Sequence, residues 1–242
     1  MTRLRAAPHV HSDWSYDGSW TLEGLARLFG RLGYDAVLMA EHDRGFDEDR
    51  WGAYREACAA ASAASGVLIV PGIEYSDAEN RIHLPVWGEG APFLGEGVGT
   101  GELMRRVSEV GASAVLAHPA RRGAAEAFEP EWADALLGVE WWNRKYDGYA
   151  PGPVTGRSLG ARGAIPFVGI DFHTARQLMP LAMVLEVDAR GAGPAAVFGA
   201  LRERRCRPEA FGLPALRFTG GRGFRAVDAL ETTRKRVARM VR

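Results

Sequence analysis

Leu4-Arg5-Ala6-Ala7-Pro8-His9-Val10-His11-Ser12-Asp13-Trp14-Ser15-Tyr16-Asp17-Gly18 opens as a short extended segment and closes on turn residues. Side chains of a strand alternate between its faces, so His9 and His11 share one face where the strand gives way to its loop. That spacing suits a metal ion, and strand ends are where barrels and open α/β sheets collect their chemistry. Taken alone, a His-x-His pair is as often two ordinary polar residues. The rest of the chain decides.

Outward from that stretch, strands and helices alternate. Leu22, Leu25, Leu28, Phe29 and Leu32 recur at helical spacing, with Ser19 or Thr21 to cap the helix and Gly33 to end it. Residues 34–40 read as a buried apolar strand ending on Glu41-His42-Asp43. A second helix runs from Asp47 to Gly66, and strand 67–70 leads to Gly72-Ile73-Glu74. Residues 81–87, holding His83, form another extended piece. The glycine-rich loop after it lacks the Gly-Lys-Ser or Gly-Lys-Thr ending of a phosphate loop. Thr100 caps a helix closed by Gly111, and strand 112–117 ends in His118-Pro119. Strand 136–142 ends in Trp141-Trp142, a pair that could stack on a substrate ring although one of two neighbours in a strand normally faces the core. A Gly/Pro-rich helical region over 151–163 precedes strand 165–170, which ends in Asp171-Phe172-His173. A strand over 181–187, a helix over 194–205 and a basic amphipathic tail helix complete the chain. The alternation predicts a parallel sheet and an α/β fold in one domain spanning 1–242, with the basic tail over about 219–242. All 6 histidines fall in or just after predicted strands, several beside a carboxylate. A single polynuclear metal site accounts for that better than scattered core histidines.

Composition is compatible with this reading. The 242 residues are 47% hydrophobic and 25% charged, in the range of a globular domain. A formal net charge of zero removes any global electrostatic argument for nucleic acid or membrane binding. Cys58 and Cys206 are too few and too isolated for a disulfide framework, and both are expected to be reduced and buried. There is no apolar signal core and no apolar run of membrane-spanning length, so the cytoplasm is the expected compartment.

The ordered motifs His9-Val10-His11-Ser12 through Asp17-Gly18, Glu41-His42-Asp43, Ala117-His118-Pro119 and Gly169-Ile170-Asp171-Phe172-His173, with Glu74 and His83 between, resemble the polymerase and histidinol phosphatase (PHP) superfamily of metal-dependent phosphoesterases. The resemblance covers roughly residues 4 to 175. It implies a distorted (β/α)7 barrel with two to three divalent ions, manganese, zinc or iron, at the strand C-terminal ends. By the same resemblance His9 and His11 bind one ion with Asp171 and a bridging Glu74. His83 and His118 bind a second that shares Glu74, and Asp17, His42 and His173 bind the third. A metal-bridging hydroxide is then the nucleophile, with Asp171 or His173 able to protonate the leaving group. Two departures stand out. Glu41 replaces the family's usual aspartate, which alters the groups orienting His42, and Asp17 lies one position later than in many members.

Amidohydrolases also begin with His-x-His but commonly bridge their metals with a carboxylated lysine, and no lysine precedes Lys145 here. Hydrolysis of an amide or ester on a PHP-like site is compatible with the same ligands. An exonuclease, or a metal-binding module without activity, are further alternatives. A phosphate needs donors beyond the metals, and Arg121 and Arg122, Arg144 and Lys145, and Arg176 follow the motif-bearing strands. The expected substrate is a small phosphomonoester or a nucleotide end, with Arg176 as phosphate clamp. The tail 234–239 reads as a solvated helix face before a nucleic-acid contact, and oligomeric state is not legible.

Overall fold

The computed structural model describes residues 1–154, 158–161, 163–188 and 193–240. β1 (Thr2–Val10) is followed by α1 (Leu22–Arg31), β2 (Ala36–Met39), β3 (Glu41–His42), α2 (Glu48–Ser65), β4 (Leu68–Val70), β5 (Ile73–Ser76) and β6 (His83–Trp87). Then come α3 (Thr100–Glu109), β7 (Ser113–Leu116), α4 (Ala124–Ala127), β8 (Leu136–Asn143), β9 (Ile165–Gly169), β10 (Leu181–Val187), α5 (Pro194–Arg202), β11 (Cys206–Ala210), β12 (Leu213–Pro214) and α6 (Gly221–Met240).

The strands form two six-stranded sheets, β12-β11-β10-β1-β2-β4 and β3-β5-β6-β7-β8-β9. β2 runs into β3 with only Ala40 between, and β4 runs into β5 across Pro71-Gly72, so these two staves pass from one sheet to the other. Counting each as one stave gives seven: β1, β2–β3, β4–β5, β6, β7, β8 and β9. The seventh meets the first where Ile170 N–H donates to Pro8 O at 3.0 Å, Phe172 N–H to His9 O at 3.1 Å and His11 N–H to Phe172 O at 2.9 Å. This is a mixed α/β fold of the distorted barrel type.

Local chemistry explains the helices. The Thr21 side chain accepts from Gly24 N–H at the start of α1, and the Asp47 side chain accepts from Arg50 N–H at the start of α2. Gly66 takes the left-handed conformation that ends α2. α1 and α2 pack on each other and on β2 and β4, burying Leu25, Phe29, Tyr54 and Cys58.

Several expectations need correction. The sheet is not wholly parallel: β6 is antiparallel to β5 and β7, with no helix between β5 and β6. Thr100 does not cap α3, whose N-cap is Gly99 without a side-chain bond. Among the described residues 151–163 there is no helix, and the remainder of that stretch lies outside them. Cys206 is half-buried and not buried. Trp141 and Trp142 are both core residues, Trp142 against Phe211 and Phe218, so neither offers a face to a substrate. No described helix is long and apolar enough to cross a membrane.

Candidate metal centre

One end of the barrel gathers the titratable side chains. The end of β1 supplies His9 and the residue after it, His11; β3 supplies His42 and β5 Glu74. His118 follows β7, while Asp171 and His173 follow β9. β6 delivers His83 differently. Because it runs antiparallel, its first residue pairs with Ser76 at the end where the parallel staves present their last. The backbone is bent to fit: His9, Asp171 and His118 have φ of 60°, 51° and 28°. Such conformations cost on the order of 1–3 kcal/mol each and persist only where surrounding structure enforces them. At His9 the β1–β2 register slips between Pro8 and Val10, a bulge that re-aims the side chain.

Glu74 is the centre. Its Oε1 lies 3.2 Å from His9 Nε2, 3.0 Å from His83 Nδ1 and 3.2 Å from His118 Nε2. Its Oε2 lies 3.1 Å from His42 Nδ1 and 3.7 Å from His11 Nε2. Asp171 Oδ1 stands 3.7 Å from His11 Nε2 and 3.3 Å from His173 Nδ1, and its Oδ2 is 3.8 Å from His118 Nε2. Asp17, a third exposed, bridges His42 Nε2 at 3.4 Å and His173 Nε2 at 3.1 Å. Every residue expected to ligate therefore converges on one cluster. The potential ligand atoms fall into four groups, each within 4.8 Å: His11, Asp17, His42 and His173; His9, His118 and Asp171; His9, His11 and Glu74; His42, Glu74 and His83. The third-ion set is one of these groups with His11 added. His83 and His118, paired in the expected second set, belong to different groups.

The residues fit cations. His9 Nε2, His11 Nε2 and His83 Nδ1 are buried without a hydrogen-bond partner, although each lies near a Glu74 oxygen. Two ligands each about 2.1 Å from one ion sit about 3.0–3.4 Å apart at octahedral to tetrahedral angles, which matches most of these separations. Burial alone would raise the pKa of Glu74, but His83, His9 and their neighbours hold it well below the ordinary value. Asp171 is likewise held to about 2, burial being outweighed by His9, Lys145 and His118. Burial, with His173 and His42 adding, pushes His11 well below 6.5 and leaves a neutral imidazole with its lone pair available.

A second layer orients these groups. Glu140, fully buried, accepts from His9 Nδ1–H at 2.8 Å, His118 N–H at 3.0 Å and Asn143 Nδ2–H at 2.8 Å. With Nδ1 protonated, His9 turns Nε2 to the cluster, a carboxylate–histidine arrangement typical of metal sites. Sequence reading missed Glu140 and Asn143. The available signal was a lone carboxylate inside the apolar run of β8, reinforced by Gly169, where a Cβ would overlap the Glu140 carboxylate. Asn80 Oδ1, 2.6 Å from His83 Nε2, does the same for His83. Glu41 does not touch the His42 ring. It accepts from Ser12 Oγ–H at 2.6 Å and Ser15 Oγ–H at 2.5 Å, and Ser15 Oγ in turn accepts from His42 N–H at 3.0 Å. The longer acid thus ties the loop after β1 to β3.

The expected phosphate donors are distributed unevenly. Lys145 Nζ is 3.2 Å from Asp171 Oδ1 and 3.2 Å from His173 Nε2. Arg121 Nη1 lies 2.8 Å from His83 Nε2 and donates to Asn80 O. Arg144 is buried against Tyr149 and donates to Arg176 O at 3.2 Å, a contact between loops. Arg122 and Arg176 are exposed, and no side-chain hydrogen bond or ion pair joins either to the cluster among the described residues. Two tyrosines were not anticipated. Tyr16, 69% exposed, stacks on His42 with centroids 5.0 Å apart, and Tyr146, 41% exposed, lies 4.6 Å from His118.

No family model matches the sequence, and no curated protein matches it. Solved structures do resemble it. A two-domain protein from Bacteroides vulgatus, containing a predicted PHP-like metal-dependent phosphoesterase, superposes with a TM-score of 0.64 at 19% identity over 86% of this chain. PsfC from Pseudomonas syringae gives 0.62 at 14% identity over 98% of this chain and 100% of its own. The lesion-specific endonuclease Q from Pyrococcus furiosus gives 0.56 at 13% identity over 84% of this chain. This chain spans 65% of the Bacteroides protein and 56% of the endonuclease. The likeness is one of fold: the chain has the architecture of the PHP-like metal-dependent phosphoesterases.

Proposed function

We propose that the protein is a metal-dependent phosphoesterase acting on a small phosphomonoester or a nucleotide end. The observation that carries this reading is the Glu74 carboxylate ringed by His9, His11, His42, His83 and His118, with four of those imidazoles, all but His42, holding unpartnered buried nitrogens. Two to three divalent ions held by His9, His11, Asp17, His42, Glu74, His83, His118, Asp171 and His173 would lower the pKa of water and bind the non-bridging phosphate oxygens. Glu74 spans the groups from both its oxygens and is assigned the bridging role. Asp171 and His173 stand beside Lys145 at the mouth, where one of them can hand a proton to the leaving oxygen.

Lys145 and Arg121 supply cationic donors beside the cluster, and Arg176 and Arg122 are exposed on the segments that follow β9 and β7. Tyr16 and Tyr146 offer rings on imidazoles that face opposite oxygens of Glu74, an arrangement suited to a planar group attached to the phosphate. The test is a screen of the manganese- and zinc-loaded protein on sugar phosphates, histidinol phosphate, nucleotides, short single strands, and neutral amides and esters. Turnover of phosphate esters, weakened by Arg176→Ala, is the expected result. Cleavage of neutral substrates alone, with Arg176→Ala indifferent, replaces this reading with an amide or ester hydrolase.

A further inference from the structure

α6 is mostly exposed, and two of its residues are buried: Val227 and Glu231. A carboxylate on a solvated helix loses hydration when buried, so its position calls for partners. Glu231 is 4% exposed and its Oε2 accepts from Tyr149 N–H at 3.0 Å. Arg234 and Lys235 on the same helix pair with its Oε1 at 2.6 and 3.4 Å. The loop that donates to it has been shaped to admit it. Gly148 has φ of 80°, and a Cβ there would overlap the Glu231 carboxylate.

That loop, residues 144–150, is the one that brings Lys145 to Asp171 and Tyr146 to His118. Its other end is fixed at β8, where Asn143 Oδ1 accepts from Lys145 N–H at 3.0 Å and Tyr146 N–H at 3.2 Å. Asn143 Nδ2 reaches Glu140, and Asp147 Oδ2 accepts from Asn143 N–H at 2.7 Å. The first half of the loop is therefore set by the metal cluster's own supports; the second half is held by Trp142 Nε1–H donating to Gly148 O at 3.3 Å, by Arg144 over the Tyr149 ring, and by a residue 82 positions away in sequence.

We propose that Glu231 is a positioning residue: by holding Tyr149 N–H, the C-terminal helix fixes the loop that sets Lys145 and Tyr146 at the mouth of the metal centre. The substrate-facing role of Lys145 and Tyr146 rests on the function proposed above; the latch itself does not. Glu231→Gln keeps a carbonyl oxygen for Tyr149 while removing the charge shared with Arg234 and Lys235. Glu231→Ala removes the acceptor.

The experiment uses the full chain with manganese, amide exchange over 144–150, and 4-nitrophenyl phosphate as the probe. Losing one hydrogen bond to a charged group corresponds to about a tenfold change, so Glu231→Ala is expected to raise both loop exchange and KM by about that factor. Its kcat and metal content should stay within about twofold of wild type, as for a group that governs binding. Glu231→Gln should restore exchange and KM to within about threefold of wild type, the remainder being the weaker neutral acceptor. Gly148→Ala, which disturbs the same contact from the loop side, should raise exchange as Glu231→Ala does. Unchanged exchange in Glu231→Ala or Gly148→Ala overturns the latch, as does a Glu231→Gln variant no better than Glu231→Ala. If wild type cleaves no phosphate ester, the phosphoesterase reading fails and exchange alone still decides the latch.

Discussion

His9 and His11 are one residue apart in sequence and titrate in opposite directions. Burial lowers both, but His9 faces Glu140, Glu74 and Asp171 and ends well above 6.5, while His11 faces His173 and His42 and ends well below it. The identity of a residue was legible; its partners came from staves far along the chain. Glu140 shows the same limit, because an acid in an apolar strand could be a ligand, a support or a mistaken strand. We expect Glu74→Ala and His118→Ala each to lower turnover by about a hundredfold or more with the barrel retained, since each loses a group at the shared carboxylate. Circular dichroism and a kinetic assay on a substrate the parent cleaves check this. Wild-type turnover in either variant would place the chemistry elsewhere. Asp147 offers a test by pH: burial, with Glu140 and Glu231 adding, pushes it up to about 7 from 3.8. The folded chain therefore binds the extra proton between those values. The associated stability is present at acid pH and lost as pH rises through about 7. Asp147→Asn should remove this, so melting temperatures of variant and parent, compared from about pH 5 to 8, should diverge in the variant's favour as pH rises. A gap that does not change with pH would show that Asp147 titrates normally.

Strands and helices were legible from period and caps, as Thr21, Asp47 and Gly66 illustrate. Direction was not. A five-residue strand such as β6 has the same alternation whichever way it runs, and only its antiparallel pairing brings His83 to the cluster. The tryptophan pair of β8 was ambiguous for a related reason: strand alternation predicts one outward face, but barrel and flanking elements cover both. Between β8 and β9 the missing side chain at Gly169 admits Glu140. Gly169→Ala should displace Glu140, weaken metal retention and lower stability by about 1–3 kcal/mol, the usual result of overpacking. Chemical denaturation and a chelator competition check both parts. An alanine variant matching wild type in both would mean that Glu140 is not needed where it stands.

At the scale of the whole chain, the seven-stave barrel was implied by the family resemblance that the ordered motifs carry, whereas the additional strands β10, β11 and β12, on the opposite edge of β1 from β2, included two that carried no pattern strong enough to read. Purified without chelator or reconstituted with manganese or zinc, the protein should carry two to three transition-metal ions by elemental analysis. Stripping them should lower the melting temperature by about 5–10 °C for each ion removed, where free metal exceeds its Kd a hundredfold. A chain that stays metal-free under both conditions removes the basis of the proposed chemistry. The hydrogen bonds that join Pro8, His9 and His11 to Ile170 and Phe172 carry a consequence for biosynthesis. A nascent chain still short of Phe172 has made its first histidines but not the strand end that holds them, so the centre cannot assemble from the N-terminus onward as the ribosome proceeds. Until that segment is released, imidazoles that later converge are separate, and the full ligand set is offered to a cation only once residues 170–173 can pair with the end of β1.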